Sequence, residues 1–328
     1  LTKLETLKLL IADSESKNQF DVSSIVSDIQ VETTLLDQPG KLTFTLQAGL
    51  KETFFEGSNV TLQVGGLKVF DGYLFEKKLN EKLVLQCICY DRLRYLNNMD
   101  TYVFENKTVD EIFTTICTEQ ELPFKVVNGS SLATSSILHD NKSLYSMIQR
   151  AIDEVLVYTN KYLMVRDNAG VLELIDIEGL LSNILIGDES LLKGFNFTSS
   201  IDRDTYNYIK LVQENKEAQV RNKYIVMDGD NVGKWGRLQY FEKMDEDVNE
   251  AQIKEKAEQL LKLYNRKTKT LKMSCLGDFK LSAGVGVMVS IAGLATENVA
   301  RMHAAFASRV SHKISKNKHE MEVDLEVV

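Results

Sequence analysis

Two prolines, Pro39 and Pro123, serve all 328 residues. A chain this poor in proline holds no stiff proline-rich tether, so its parts are expected to be tied by direct crossings. Cysteine is scarce too. Cys87, Cys89, Cys117 and Cys275 include no C-x-x-C pair, which argues against a disulfide framework or a thiol redox motif. All four read as reduced and mostly buried, in a protein made in the cytosol. No apolar run approaches the ~20 residues of a membrane helix. Residues 9–12, LLIA, are too short for a leader or a span, so membrane insertion is not expected. An excess of positive charge is also missing. Lys and Arg number 39 against 47 Asp and Glu, a net charge of −8. Such a surface has no general pull on nucleic acid or on an anionic membrane. No internal repeat and no low-complexity linker appear.

What is present is ordinary globular material, 44% hydrophobic and 26% charged, enough for about two domains. The first part alternates with period two. Leu42, Phe44 and Leu46 interleave with Thr43, Thr45 and Gln47, and Val60, Leu62 and Val64 with Thr61 and Gln63. Residues 69–75 and 83–89 continue in kind, with Pro39-Gly40 and Gly65-Gly66 as turns. This predicts antiparallel strands closing a small barrel or sandwich over residues 1–95.

The period then changes. Thr108-Val109-Asp110-Glu111 has the form of a capping box. Val109, Ile112, Phe113 and Ile116 follow at helical spacing. A second helix is predicted over about 142–155, and a hairpin with strands at 162–165 and 171–175 around Asp167-Asn168-Ala169-Gly170. Residues 96–195 thus read as an α+β module. Strands return in residues 196–328, at 206–212, 224–226, 271–273 and 285–289, interrupted by one helix at about 249–265. That helix has Asn249 and Gln252 as a cap and Ile253, Ala257, Leu260, Leu261 and Tyr264 as its apolar stripe. In the last strand Met321, Val323, Leu325 and Val327 alternate with Glu320, Glu322, Asp324 and Glu326. The fold class expected is α+β, mostly antiparallel β.

Candidate chemistry is thin. Residues 228–233, DGDNVG, begin like a calcium loop, but Val232 and Gln239 stand where oxygen ligands are needed; a plain turn is expected. Gly284-Val285-Gly286 has no third glycine and sits in a strand, so no phosphate loop is expected. His312 and His319 fall on the apolar side of a terminal hairpin and read as a structural pair, with no third metal ligand at useful spacing. His139 and His303 look isolated. Trp235, between glycines, is either an anchor for its loop or a contact for a partner. No catalytic, cofactor-binding or metal-ligating residue is predicted.

One stretch does look like a site: YDRLRYLNNMDTYVF, residues 90–104. Its charges and aromatics also suit a seam between modules. Arg92, Arg94 and Asp100 would pair or cap there. Leu93, Tyr95, Leu96, Tyr102 and Val103 would pack.

This stretch, followed by ENKT at 105–108, IDRDTYNYIKL at 201–211 and GKWGRLQ at 233–239, resembles in order the XkdQ-like family of PBSX-type prophages. These are tail hub proteins of contractile phages and phage-tail-like bacteriocins. Residues 301–309 depart from the family pattern. The resemblance implies a fold similar to the central baseplate hub of T-even phages. It implies two tube-like β-barrel domains, at 1–95 and 196–328, with the middle module between. It further implies a homotrimer matching a threefold spike to a sixfold tail tube. Its partners would be the spike, the tube and other baseplate proteins, with DNA only as passing cargo in the lumen. The chain would be assembled in the bacterial cytoplasm into a virion tail baseplate, with no enzymatic activity. The acidic strand face at 320–326 would line the lumen or face solvent. Two other readings stand beside the hub. One is a tail-associated cell-wall hydrolase, for which a chain ending at Val328 leaves no appended lytic domain. The other is a sugar- or peptide-binding module at 96–195.

Overall fold

A computed structural model of the chain describes residues 7–36, 38–47, 54–215, 220–244, 248–297, 303–315 and 318–327. The fold is mostly antiparallel β with few helices. Period-two apolar segments become strands because alternate side chains can then share one buried face. Thirteen strands form one sheet. Its path begins at Leu192–Ser200 and runs through Thr268–Leu276, Lys318–Val327 and His303–Ser315. It continues through Val26–Thr34, Lys41–Gln47, Val84–Tyr90, Leu67–Leu79, Asn59–Val64, Leu7–Ala12 and Gln19–Asp21. Gly286–Ser290 attaches to His303–Ser315 and carries Leu181–Gly187 beside it in parallel register. The first and last parts of the chain meet where Val26–Thr34 pairs with His303–Ser315, His312 lying opposite Val31. Among the described residues the pairing is an open path.

The sheet nevertheless curls. Leu9 and Ile11, near one end of the first part's strands, share a core with Ile29, Val31, Phe44 and Leu74. Val22 donates its N–H to the Leu9 carbonyl at 3.0 Å, extending the pairing of Leu7–Ala12 with Gln19–Asp21. Each fully buried aliphatic of this kind stabilises by roughly 1.5–3 kcal/mol. A second core joins Leu271, Met273, Val287, Val310, Val323 and Leu325 from the last strands. All four cysteines are free and buried.

The middle module has its own core. Helix α1 (Val109–Glu119) starts with the expected capping box, Thr108 and Glu111 each satisfying the other's backbone amide. Helix α2 (Leu144–Thr159) starts two residues later than its periodicity suggests, because Ser143 accepts from the Ser146 N–H and caps it. The hairpin forms as Leu163–Asp167 with Leu172–Asp176.

The last part holds more helix than expected. Residues 228–233 are not a plain turn: Asp228 caps a short helix, α3 (Gly229–Trp235), by accepting from the Asn231 N–H. Trp235, half-buried, ends that helix rather than lying in a loop. Helix α4 (Glu250–Tyr264) bears its predicted cap. It packs on a separate sheet in which Tyr208–Asn215 lies between Val220–Met227 and Gln239–Met244. This unit is inserted between Leu192–Ser200 and Thr268–Leu276, which pair with each other.

Candidate functional site

The stretch that looks like a site lies where three parts of the chain meet. The strand Val84–Tyr90 ends at Asp91, which caps a 3-10 turn over Arg92–Asn97. The Asp91 carboxylate accepts from Gly40 N–H at 2.8 Å and from Leu93 N–H at 3.0 Å. Asp167, in the middle module's hairpin, accepts from Arg92 N–H at 3.0 Å and from Gly170 N–H at 2.6 Å. The Arg92 guanidinium lies 3.0 Å from Asp71 Oδ1 and 3.9 Å from Asp167 Oδ2, with its carbon 5.3 Å from the Tyr73 ring centre. Lys68 adds a 2.9 Å ion pair to Asp71. Behind these, Glu173 holds Arg166 at 2.8 Å and Asn168 at 3.0 Å.

The environment sets the protonation of these acids. Burial, then the charge of Asp167, pushes the Asp91 carboxyl well above its usual range, against the pull of the Gly40 and Leu93 amides. Burial likewise raises Asp167. Asp71 is also partly buried, but its bonds from Lys68, Asn59 and Arg92 outweigh that and hold it below the usual value.

Asp91 and Asp167 edge a cavity of about 350 Å³. Thr33, Gly40 and Asp91 line it from the first part, Met164 and Asp167 from the middle hairpin, and Phe279 from the last part. Phe279 also stacks on His319, ring centres 3.9 Å apart. His319 Nε2 lies 3.1 Å from His312 Nδ1, and His312 Nε2 lies 2.8 Å from the Leu281 carbonyl. A carbonyl only accepts, so His312 donates from Nε2 and its Nδ1 accepts from His319. Burial lowers both imidazoles, His319 to about 4. The histidines therefore pair as expected.

Other sequence candidates scatter. His139 is buried beside Phe104, in a different sheet from the terminal hairpin. The side chain of His303, and residues 301 and 302, lie outside the described residues. Arg94 lies over the Phe75 ring, so Arg92, not Arg94, carries the ion pairs of the seam. Asp100 accepts only from its neighbour Thr101 N–H among the bonds described. Val103 does not pack; it is exposed. The acidic face of the last strand is not bare: Lys193 and Lys318 bond Glu320, Lys313 bonds Glu322, and Arg309 and Lys272 flank Asp324. Among the described residues no three His, Cys, Asp or Glu side chains gather as a metal site. The seam's acids are occupied by backbone amides and arginine, an arrangement that joins modules. Asp71, Asp167 and Glu173 are missing from the sequence reading, although Asp167-Asn168-Ala169-Gly170 marks the turn that presents one of them.

Comparison with known proteins agrees with this architecture. The chain belongs to the YqbQ-like family, whose family model matches residues 29–326. It is similar to the phage-like element PBSX protein XkdQ of Bacillus subtilis, 24% identical over 299 residues, covering 90% of this chain and 87% of that one. Among solved structures it is similar to the 43 kDa tail protein of prophage MuSo2 from Shewanella oneidensis. That match has 12% identity and a TM-score of 0.69, and covers 97% and 98% of the two chains. It is also similar to the E. coli c3393 protein, a type VI secretion component with structural similarity to T4 tail proteins gp27 and gp5. There the identity is 12%, the TM-score 0.55, and the coverage 92% and 73%. The expected likeness to an XkdQ-like phage tail family therefore holds.

Proposed function

We propose that this phage-tail-type chain is a baseplate hub of a contractile tail or phage-tail-like particle. It works without catalysis, as a homotrimer that matches a threefold spike to a sixfold tube. In this reading residues 1–95 and 196–328 supply two tube-like β units per chain, so three chains present six to the tube. DNA passes through the lumen without being held. Assembly takes place in the bacterial cytoplasm, with the spike, tube and other baseplate proteins as partners. One observation carries the proposal. Strands from both ends of the chain form one sheet that encloses two separate cores. Two β units joined edge to edge, without a tether, suit a rigid ring segment. The likeness of fold to tail proteins supports it.

The test is light scattering on the chain alone and mixed with its spike, followed by particle imaging. A trimer in either condition, with six β units around the axis, is expected. A strict monomer in both overturns the reading.

A further inference from the structure

Among the described residues, two exposed apolar faces have no partner. The first is a two-stranded ribbon, Met99–Phe104 with Ile137–Ser143. Tyr102 and Phe104 point into the middle module's core. On the other side Val103 lies opposite Leu138, and the two are 60% and 61% exposed, with Met99 57% exposed beside them. Register puts Asp100 and Lys142 on the side of Tyr102, so the charges left to this outward face are acids, Glu105 and Asp140, the latter bonded to Thr101.

The second face belongs to the inserted three-stranded sheet. Ile209 and Leu211 pack on α4, so their neighbours along the strand point the other way. Register places Lys210 between Ile225 and Phe241, and Tyr208 opposite Met227. Ile225, Met227 and Phe241 are 48%, 56% and 55% exposed. Around them this face carries four bases, Lys210, Arg221, Lys223 and Lys243, against one acid, Glu214. On a chain of net charge −8 this is a local inversion of sign.

The placement of the two faces matters most. The ribbon packs on α2, α2 packs on α4, and α4 packs on the sheet. The ribbon and the sheet are therefore joined through α2 and α4, each by the face opposite the exposed one. One is apolar with an acidic rim, the other apolar with a basic rim. Such faces complement each other between chains.

We propose that the sheet face bearing Phe241 docks on the ribbon face bearing Val103 and Leu138 of a second copy, head to tail. The contact is heterologous, and a heterologous contact repeated with the right rotation closes a ring. Apolar centres with opposite charges at the rim give such a contact its register. The inference rests on the homotrimeric reading above and assigns surfaces to it.

The test uses the 328-residue chain with a photoreactive p-benzoyl derivative in place of Phe241, mixing isotopically light and heavy copies. Links between copies that map to residues 99–105 or 137–143 are expected. Phe241→Glu is expected to weaken self-association by about tenfold or more, the loss typical of a central apolar contact, with an unchanged circular dichroism spectrum. Lys223→Glu should weaken it as well, and Asp140→Lys added to that variant should restore it. A trimer whose links map elsewhere overturns the docking surfaces and leaves the hub reading standing. Failure to self-associate up to the solubility limit, alone and with the spike, overturns both. Competition by a single-stranded oligonucleotide for the Phe241 face, with no link between copies, overturns the proposal in favour of a nucleic-acid surface.

Discussion

Gly40 and Asp91 are in contact so close that a Cβ built on Gly40 would stand 2.3 Å from the Asp91 Oδ2 that accepts its amide. The turn residue and the strand-end acid are 51 positions apart. Together they fix how the chain leaves the first β unit for the middle module.

Gly40→Ala is therefore expected to cost about 1–3 kcal/mol, the range for forcing extra atoms into a packed site. Asp91→Ala leaves the Gly40 and Leu93 amides without their acceptor and is expected to cost about 1–3 kcal/mol. Urea unfolding reads both. An unchanged midpoint in either variant would show that the seam does not depend on this bond.

Arg92 and Arg94 are expected to behave differently although they are two positions apart. Arg92 faces both Asp71 and Asp167 from a largely buried position. Arg92→Met leaves Asp167 without its cation and Asp71 with Lys68 alone, and is expected to cost about 3 kcal/mol. Arg94 meets an aromatic ring, and Arg94→Ala is expected to cost under about 1 kcal/mol. Equal losses would contradict the assignment of the seam to Arg92.

Stability should fall on mild acidification. The histidine pair has lowered values in the folded chain, His319 near 4, against about 6.5 when unfolded. Between those values the unfolded chain binds protons that the folded chain refuses. The pair's contribution is complete above pH 6.5 and is lost as the pH falls toward 4. Asp91 and Asp167, raised in the folded chain, act with the opposite sign: their contribution is present at low pH and is lost as pH rises through their folded values. His319→Gln keeps a donor for His312 and removes one titration. Its unfolding free energy should depend less steeply on pH from 6.5 to 4. A slope as steep as that of the unmodified chain would sink this account.

Thr108 offers a local control. Thr108→Ala removes the cap of α1 and half of its capping box, and should cost about 1 kcal/mol. A thermal melt monitored at 222 nm will show it, and no change in self-association should accompany it.

Much of this was readable from the residues alone, wherever the cause is short-range. The capping boxes at Thr108 and Asn249 close within three residues. The pairing of His312 with His319 follows from parity around one hairpin. The hairpin at 163–176 follows from a turn between two apolar runs. Helix α3 escaped because DGDNVG suits either a turn or a capped helix, and only the bond from Asn231 to Asp228 distinguishes them. Val103 escaped because, among the described residues, only the other face of its two-stranded ribbon packs on the core.

The sequence by itself determined helices α1, α2 and α4, the caps that start α1 and α4, and many of the strands. Periodicity and capping are local, so they survive without knowledge of the fold. Only the tertiary structure decided that Val31 would lie beside His312, that Arg92 would join Asp71 to Asp167, and that Gly40 would have no room for a side chain. Those contacts span from 21 to nearly 300 positions. No periodic pattern encodes them, because each depends on where two independently formed surfaces meet.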